Sequence, residues 1–268
     1  MVQLTQPTTA LNAMGWNPAD NYLYALSSTT ALQRIASDGT LTSAGAVTGV
    51  TVSDGAAFLT NDKMVVVSSS AATAATMDLL SLTRSSGTVN GGTGAAITLT
   101  NNGTTAYAGA GDIAIFPGAG GTYLGYALHK QLLTIFTFPN SSPTTATYIT
   151  KTITGLQNGT SEAAFGAQWL DSQGNFYAFD NTTTSGSSPA TWALYAINST
   201  DLASAATSVA ANKLAETTFP SITHDDGANC ITAPSPFAPQ LTTFPTVSSI
   251  TQTFCECNWI FNYQRLSS

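Results

Sequence analysis

The chain has 268 residues, enough to bury a full core as one domain, yet only 8% of them are charged, against about a quarter in an ordinary globular protein. The net charge is −7 and the seven basic residues form no run, which excludes the clustered cations that hold a phosphate backbone or an anionic membrane surface. No apolar run approaches the roughly 20 residues of a spanning helix, so nucleic acid and membrane insertion are both excluded as partners.

Read in chain order, the sequence is a series of short apolar segments broken by Gly, Pro, Asn and Asp. Gly15-Trp16-Asn17 enters a polar turn at Pro18-Ala19-Asp20-Asn21 and returns as Tyr22-Leu23-Tyr24-Ala25-Leu26. A third apolar stretch covers 31–36, and a polar, Thr-rich one covers 40–44. The second unit enters at 54–59, turns through Thr60-Asn61-Asp62, and continues at 63–67, 77–82 and 96–100. The third enters at 112–116, turns through Pro117-Gly118-Ala119-Gly120-Gly121, and continues at 122–128, 132–137 and 146–154. The fourth places Gln168-Trp169-Leu170 before Asp171-Ser172-Gln173-Gly174 and Asn175-Phe176-Tyr177-Ala178-Phe179, a near copy of the first, followed by 193–197. A fifth begins at Gly227-Ala228-Asn229-Cys230-Ile231-Thr232.

Short strands bounded by turn residues are an all-β pattern, and four strands per unit at a period of about 40–60 residues predict radial repetition. The expected fold is an all-β β-propeller of five or six four-stranded blades. Small entry strands suit the crowded axis, larger residues in the next two strands suit blade-to-blade packing, and polar outer strands suit a solvated edge. Residues 68–76, 85–94 and 181–189 are expected to be surface loops. Repeats occupy 1–233. Pro234, Pro236, Pro239 and Pro245 make an extended linker, and strand-like segments at 246–254 and 257–263 complete the last blade or dock on a neighbouring molecule.

An acidic residue precedes the entry strand in several units: Asp54, Asp112 and Asp226, with Glu162 placed more loosely and Asn12 in the first. At one mouth of a central channel these acids would form a partial ring suited to Ca²⁺ or another hard cation. The competing reading is that each Asp caps a turn by accepting backbone N–H bonds. Apart from Ca²⁺, no cofactor is expected, and the sequence singles out no catalytic residue. His224-Asp225-Asp226 with Ser221 is the densest polar cluster and reads as a loop entering the last blade; His129, beside Lys130, is expected to face solvent. No nucleophile elbow, phosphate loop or dinucleotide fingerprint occurs.

Trp16 and Trp169 share a repeat position and are expected to pack blades; Trp192 and Trp259 are the freer candidates for stacking on a sugar ring. Asn-x-Ser/Thr sequons stand at Asn102, Asn140, Asn158, Asn181 and Asn198, all in expected turns or loops. Cys230 with Cys255 or Cys257 is the expected disulfide, tying the tail to the last blade; three reduced thiols are the alternative. Met1-Val2-Gln3-Leu4-Thr5 lacks the basic and apolar stretches of a secretory leader, so a secreted form is expected to be the mature one.

The units at 17–24, 165–178 and 226–230 resemble a family of uncharacterised secreted β-propeller domains of bacterial and fungal surface proteins, over about 9–233. The resemblance implies the fold and a secreted or cell-surface location, and carries no catalytic residues. The functional expectation is a non-catalytic extracellular propeller with a structural or interaction role, a subunit of a surface assembly or filament whose partners are copies of itself, surface proteins or glycans. A lectin-like propeller and a glycan-active hydrolase are the alternatives.

Overall fold

The computed structural model describes residues 11–68, 77–107, 109–156, 165–180, 190–219, 224–228 and 260–263. The first blade is β1 (Asn12–Asn17), β2 (Tyr22–Ser28), β3 (Ala31–Ile35) and β4 (Leu41–Thr48); the second is β5 (Gly55–Thr60), β6 (Lys63–Val67), β7 (Met77–Ser85) and β8 (Thr88–Ala96). A short strand β9 (Thr98–Asn101) leads to the third, β10 (Ala114–Pro117), β11 (Tyr123–His129), β12 (Leu132–Phe138) and β13 (Thr145–Thr154). The fourth holds β14 (Phe165–Leu170), β15 (Phe176–Asp180) and β16 (Ala190–Ile197), then a one-turn helix α1 (Ser199–Ala203), a rim strand β17 (Ser208–Ala210) and the outer strand β18 (Asn212–Phe219). The fifth unit is represented by β19 (His224–Gly227), paired antiparallel with β20 (Ile260–Tyr263) from the C-terminal tail.

The chain is a β-propeller. Its entry strands stand side by side in the cyclic order β1, β5, β10, β14, β19, and β19 returns to β1. Consecutive antiparallel strands make each up-and-down blade, with short turns between β1 and β2, β5 and β6, and β11 and β12. Asn21 and Asp62 occupy the left-handed region at φ 67 and 61 in the first two entry turns, where short polar side chains are tolerated.

The core lies between blades, which explains why the middle strands read as continuous apolar runs. In β6, Met64 and Val66 point into the cluster shared with Tyr24, Leu26 and Leu32 of the first blade. Val65 and Val67 point the other way, into the cluster shared with Ile113, Ile115, Phe136 and Phe138 of the third. Leu80 and Leu79 of β7 divide in the same manner. A strand buried on both faces needs apolar residues at every position. A third cluster joins blades three and four through Leu133, Ile135, Phe165 and Tyr195, and a fourth packs Met14, Trp16 and Leu23 with Ala228 next to β19. Each fully buried Leu, Ile or Phe in these seams contributes about 1.5–3 kcal/mol.

The outer strands of the first three blades are joined along the rim. β4 pairs in parallel with β8, β9 with the first half of β13, and β17 with its second half. The second blade differs from its sequence pattern in two places. The segment at 85–94 is not a surface loop: it holds the end of β7, a turn and most of β8. The fourth strand of the second blade is Thr88–Ala96, and the segment expected as that strand, 96–100, is largely the separate rim strand β9. Asn90-Gly91-Gly92-Thr93-Gly94 has the composition of a loop because β4 approaches too closely for side chains. Gly91 sits at φ +142, and a Cβ there would lie 2.5 Å from the Ala46 carbonyl oxygen. The outer strands of the first three blades are thus less a solvated edge than a set of paired ones. Residues 69–76 and 181–189 lie outside the described residues.

Candidate functional site

The entry strands bring Asp112 to the axis. Its side chain is fully buried just before β10, and both oxygens accept backbone hydrogen bonds. Oδ1 accepts from its neighbour Ile113 at 2.7 Å, and Oδ2 accepts from the Gln168 N–H on β14 at 2.7 Å. The fifth unit closes over the same carboxylate: a Cβ on Gly227 would lie 2.9 Å from Oδ2 and 2.8 Å from the Gln168 nitrogen. One carboxylate therefore fastens blades three and four beneath β19.

Gln168, itself fully buried, extends the seam. Its Oε1 accepts from Leu128 N–H at 2.7 Å, while Nε2 donates to the carbonyls of Leu128 at 3.0 Å and Phe165 at 2.9 Å. The amide thus acts as an extra peptide group between β11 and β14.

Asp54 is half-buried and accepts from the Ser68 hydroxyl at 3.3 Å, while its N–H donates to Val67. Burial, with a smaller contribution from the Asp54 charge, pushes the Tyr107 phenol well above its ordinary range. Asp226 lies on β19 opposite Phe261; its side chain falls outside the described residues, as does Glu162. Among the described residues no group of three His, Cys, Asp or Glu side chains is placed to hold a metal ion.

A second polar cluster, absent from the sequence reading, joins the first two blades. Arg84 on β7 clasps Asp62 with two bonds, Nε to Oδ2 at 2.8 Å and Nη2 to Oδ1 at 2.7 Å, and reaches Asp20 at 2.9 Å. Asn17, buried, donates to Asp62 at 2.8 Å and accepts the Asp62 N–H. The Arg84 hydrogen bonds hold the Asp62 carboxyl below the usual carboxylate range, and Arg84 is itself held more firmly charged, chiefly by Asp62. Tyr24 donates to Asp20 at 2.8 Å; burial first, then that bond, raises its phenol. The fourth blade repeats the device: Tyr177 donates to Asp171 at 3.0 Å, and the same carboxylate accepts from the backbone of Gln173 and Asn175. These carboxylates act as turn locks; the two hairpins repeat their Trp-to-Tyr spacing, but Asp20 stands four residues before its Tyr and Asp171 six before its own, so no fixed Asp position marks the lock.

Lys151 on β13 is almost wholly buried beneath α1. Its ammonium donates to the carbonyls of Leu202 at 2.9 Å, Ser204 at 2.5 Å and Asp201 at 3.4 Å. They lie at the C-terminal end of α1, where a cation suits the helix carbonyls; that of Asp201 also accepts from the Ser204 hydroxyl at 2.7 Å. Burial lowers the Lys151 pKa, and Asp201 partly opposes that.

The remaining candidates separate. Trp16 is buried and donates to Asn21 at 3.1 Å, a packing role, while its repeat partner Trp169 is half-buried and stacks on Tyr177 with centroids 5.5 Å apart. His129 does not simply face solvent: it is half-buried, and burial followed by the Lys130 charge lowers its pKa. Asn102, Asn140 and Asn198 are exposed, and Asn198 also caps α1 by accepting the Asp201 N–H at 2.8 Å. The side chains of Trp192 and His224, and the whole of Ser221, Trp259, Asn158, Asn181, Cys230, Cys255 and Cys257, lie outside the described residues.

A family model described as "Repeat of unknown function (DUF6923)" matches residues 3–232. The chain belongs to that family. The DUF6923 match ends where the Pro-rich tail begins, so the family pattern covers the repeats and leaves the tail apart. No curated protein matches the chain. Among solved structures it is similar to one titled "Structure of Dos1 propeller", at 13% identity and a TM-score of 0.39, covering 84% of this chain and 52% of that one. The chain spans about half the length of that structure.

Proposed function

We propose that this DUF6923 chain is a non-catalytic, extracellular β-propeller that works as a rigid structural or interaction subunit of a surface assembly. The observation that carries this reading is the use of the buried polar groups. Asp112, Gln168 and Lys151 each bond backbone groups of a neighbouring blade. Such bonds stiffen a ring, whereas a catalytic carboxylate or amine needs an atom turned toward substrate. The rim pairing of β4, β8, β9, β13 and β17 adds to the stiffness.

Location is argued from composition. A surface solvated by Ser, Thr and Asn rather than by ions suits a secreted or wall-associated protein, as do exposed sequons at Asn102, Asn140 and Asn198. A disulfide from Cys230 to Cys255 or Cys257 would fasten the tail to the fifth unit, leaving one thiol for a second chain.

The test is the native mass of the full chain by light scattering, with and without reductant. An assembly larger than one chain is the expected result, loosening on reduction if the spare thiol takes part. A strict monomer at all concentrations, together with a measurable turnover on a glycan, would overturn the reading.

A further inference from the structure

We infer that the outer edge of β18 is a self-association surface, on which β18 of a second copy adds as an antiparallel strand. The inference rests on the interaction role proposed above and names the surface that serves it.

The rim supplies the contrast. The outer strand of the first blade is paired by that of the second, and the outer strand of the third is paired by β9 and β17. β18 pairs on one side with β16 and, among the described residues, has no strand on its other side. Its first five residues, Asn212 to Glu216, are all exposed, so the strand is covered on neither face there. Leu214 is 40% exposed, one of two large apolar side chains so exposed among the described residues. It is the extra residue of a bulge, since Leu194 opposes Ala215 and Tyr195 opposes Lys213.

Charges and bulges at a sheet edge ordinarily block strand addition. Here the charges are of opposite sign and symmetrically placed. Lys213 and Glu216 pair with each other within the chain, both well exposed. In an antiparallel β18 pair centred between Leu214 and Ala215, Lys213 faces Glu216 of the second copy, twice by symmetry, and Leu214 faces Ala215. A two-fold interface needs a self-complementary patch, and this sequence supplies one. Opposite charges directly across a strand pair favour pairing and like charges oppose it.

The experiment is sedimentation velocity on the full chain over a range of concentrations, with circular dichroism to confirm folding. Lys213→Glu and Glu216→Lys each place like charges across the interface twice and are expected to weaken self-association about tenfold. Mixing the two single variants restores it, because every contact between positions 213 and 216 of unlike copies then joins an acid to a base; the double variant K213E/E216K restores it alone. Rescue by mixing is a readout that loss of the internal ion pair cannot produce. Singles that associate like the unaltered chain, or a mixture that fails to recover, would overturn the β18 surface while leaving the interaction role standing. An unaltered chain that stays monomeric throughout would overturn the β18 surface too, and, if it also turned over a glycan, the interaction role with it.

Discussion

The Oδ2 of Asp112 accepts the backbone N–H of Gln168 at 2.7 Å, across 56 residues of sequence and from one blade to the next. The bond joins two entry strands at the axis, with Gly227 of the fifth unit closing over the same oxygen. Asp112→Asn is nearly isosteric but cannot be acceptor-only on both sides: its amide NH₂ must face either Ile113 N–H or Gln168 N–H. The expected cost is about 1–3 kcal/mol, since a buried donor loses its partner. For a chain of this size that lowers Tm by roughly 2–4 °C per kcal/mol, readable by calorimetry. A melting curve identical to that of the unaltered chain would contradict the seam.

Arg84 ties two hairpin turns of different blades, and its removal changes the acid limb of stability. Asp62 has a folded pKa below its unfolded value, so its contribution is present above the unfolded pKa, near 4, and is lost as pH falls through the folded one. Arg84→Met removes that stabilisation. The variant is expected to be less stable at pH 7 by about 1 kcal/mol, the scale of a partly exposed ion pair, and to converge on the unaltered chain as pH falls from about 4 through the folded pKa. Urea titrations in steps from pH 7 down through the acid range check this; a deficit that never narrows would show that packing, not charge, is at work.

Lys151 shifts in the same direction for a different reason, because burial disfavours its charged form. Its folded pKa is depressed, so over the window between the folded value and the ordinary lysine value of 10.5 the unfolded chain binds more protons and stability gains from rising pH. Lys151→Met abolishes that gain and leaves the carbonyls of Leu202 and Ser204 without their donor, at an expected cost of about 1–3 kcal/mol at neutral pH. Stability measured from pH 7 to 10 is the check, and a variant matching the unaltered chain throughout would remove Lys151 as the link to α1.

Gly91 marks the rim. An alanine there meets the Ala46 carbonyl at a backbone angle that side chains rarely adopt, so Gly91→Ala is expected to separate β4 from β8 at a cost of about 1–3 kcal/mol. Hydrogen exchange localises the effect: amides of β4 and β8 gain most, those of β12 least. Uniform protection across both would contradict the rim pairing.

Much of the fold was legible in the sequence, because Trp16 with Tyr24 and Trp169 with Tyr177 repeat one hairpin and because runs such as Met64-Val65-Val66-Val67 betray strands buried on two faces. The rim was not legible. Gly91, Gly92 and Gly94 lack strand propensity, and pairing with β7 on one side and, for Gly91 and Gly92, with β4 on the other, contacts set by the third dimension, makes them strand residues. At the axis, Asp112 stands out by its place before an entry strand, and the turn-cap reading anticipates a carboxylate bonded to backbone N–H groups. Its partner Gln168 does not, since it stands where the first blade has Gly15 and no spacing marks it as a bridge. Arg84 escapes for a similar reason: its partners Asp20 and Asp62 are 64 and 22 residues away.

Buried side chains and paired rims bind the blades into one rigid ring closed between β19 and β1. Native-state hydrogen exchange on the full chain tests it most directly, at the amides of β1, β14 and β19. In a closed ring all three exchange only through global unfolding, with the free energy found by calorimetry. Exchange of β19 through a separate, low-energy opening while β14 stays protected would contradict it, leaving an open arc of blades in place of a ring.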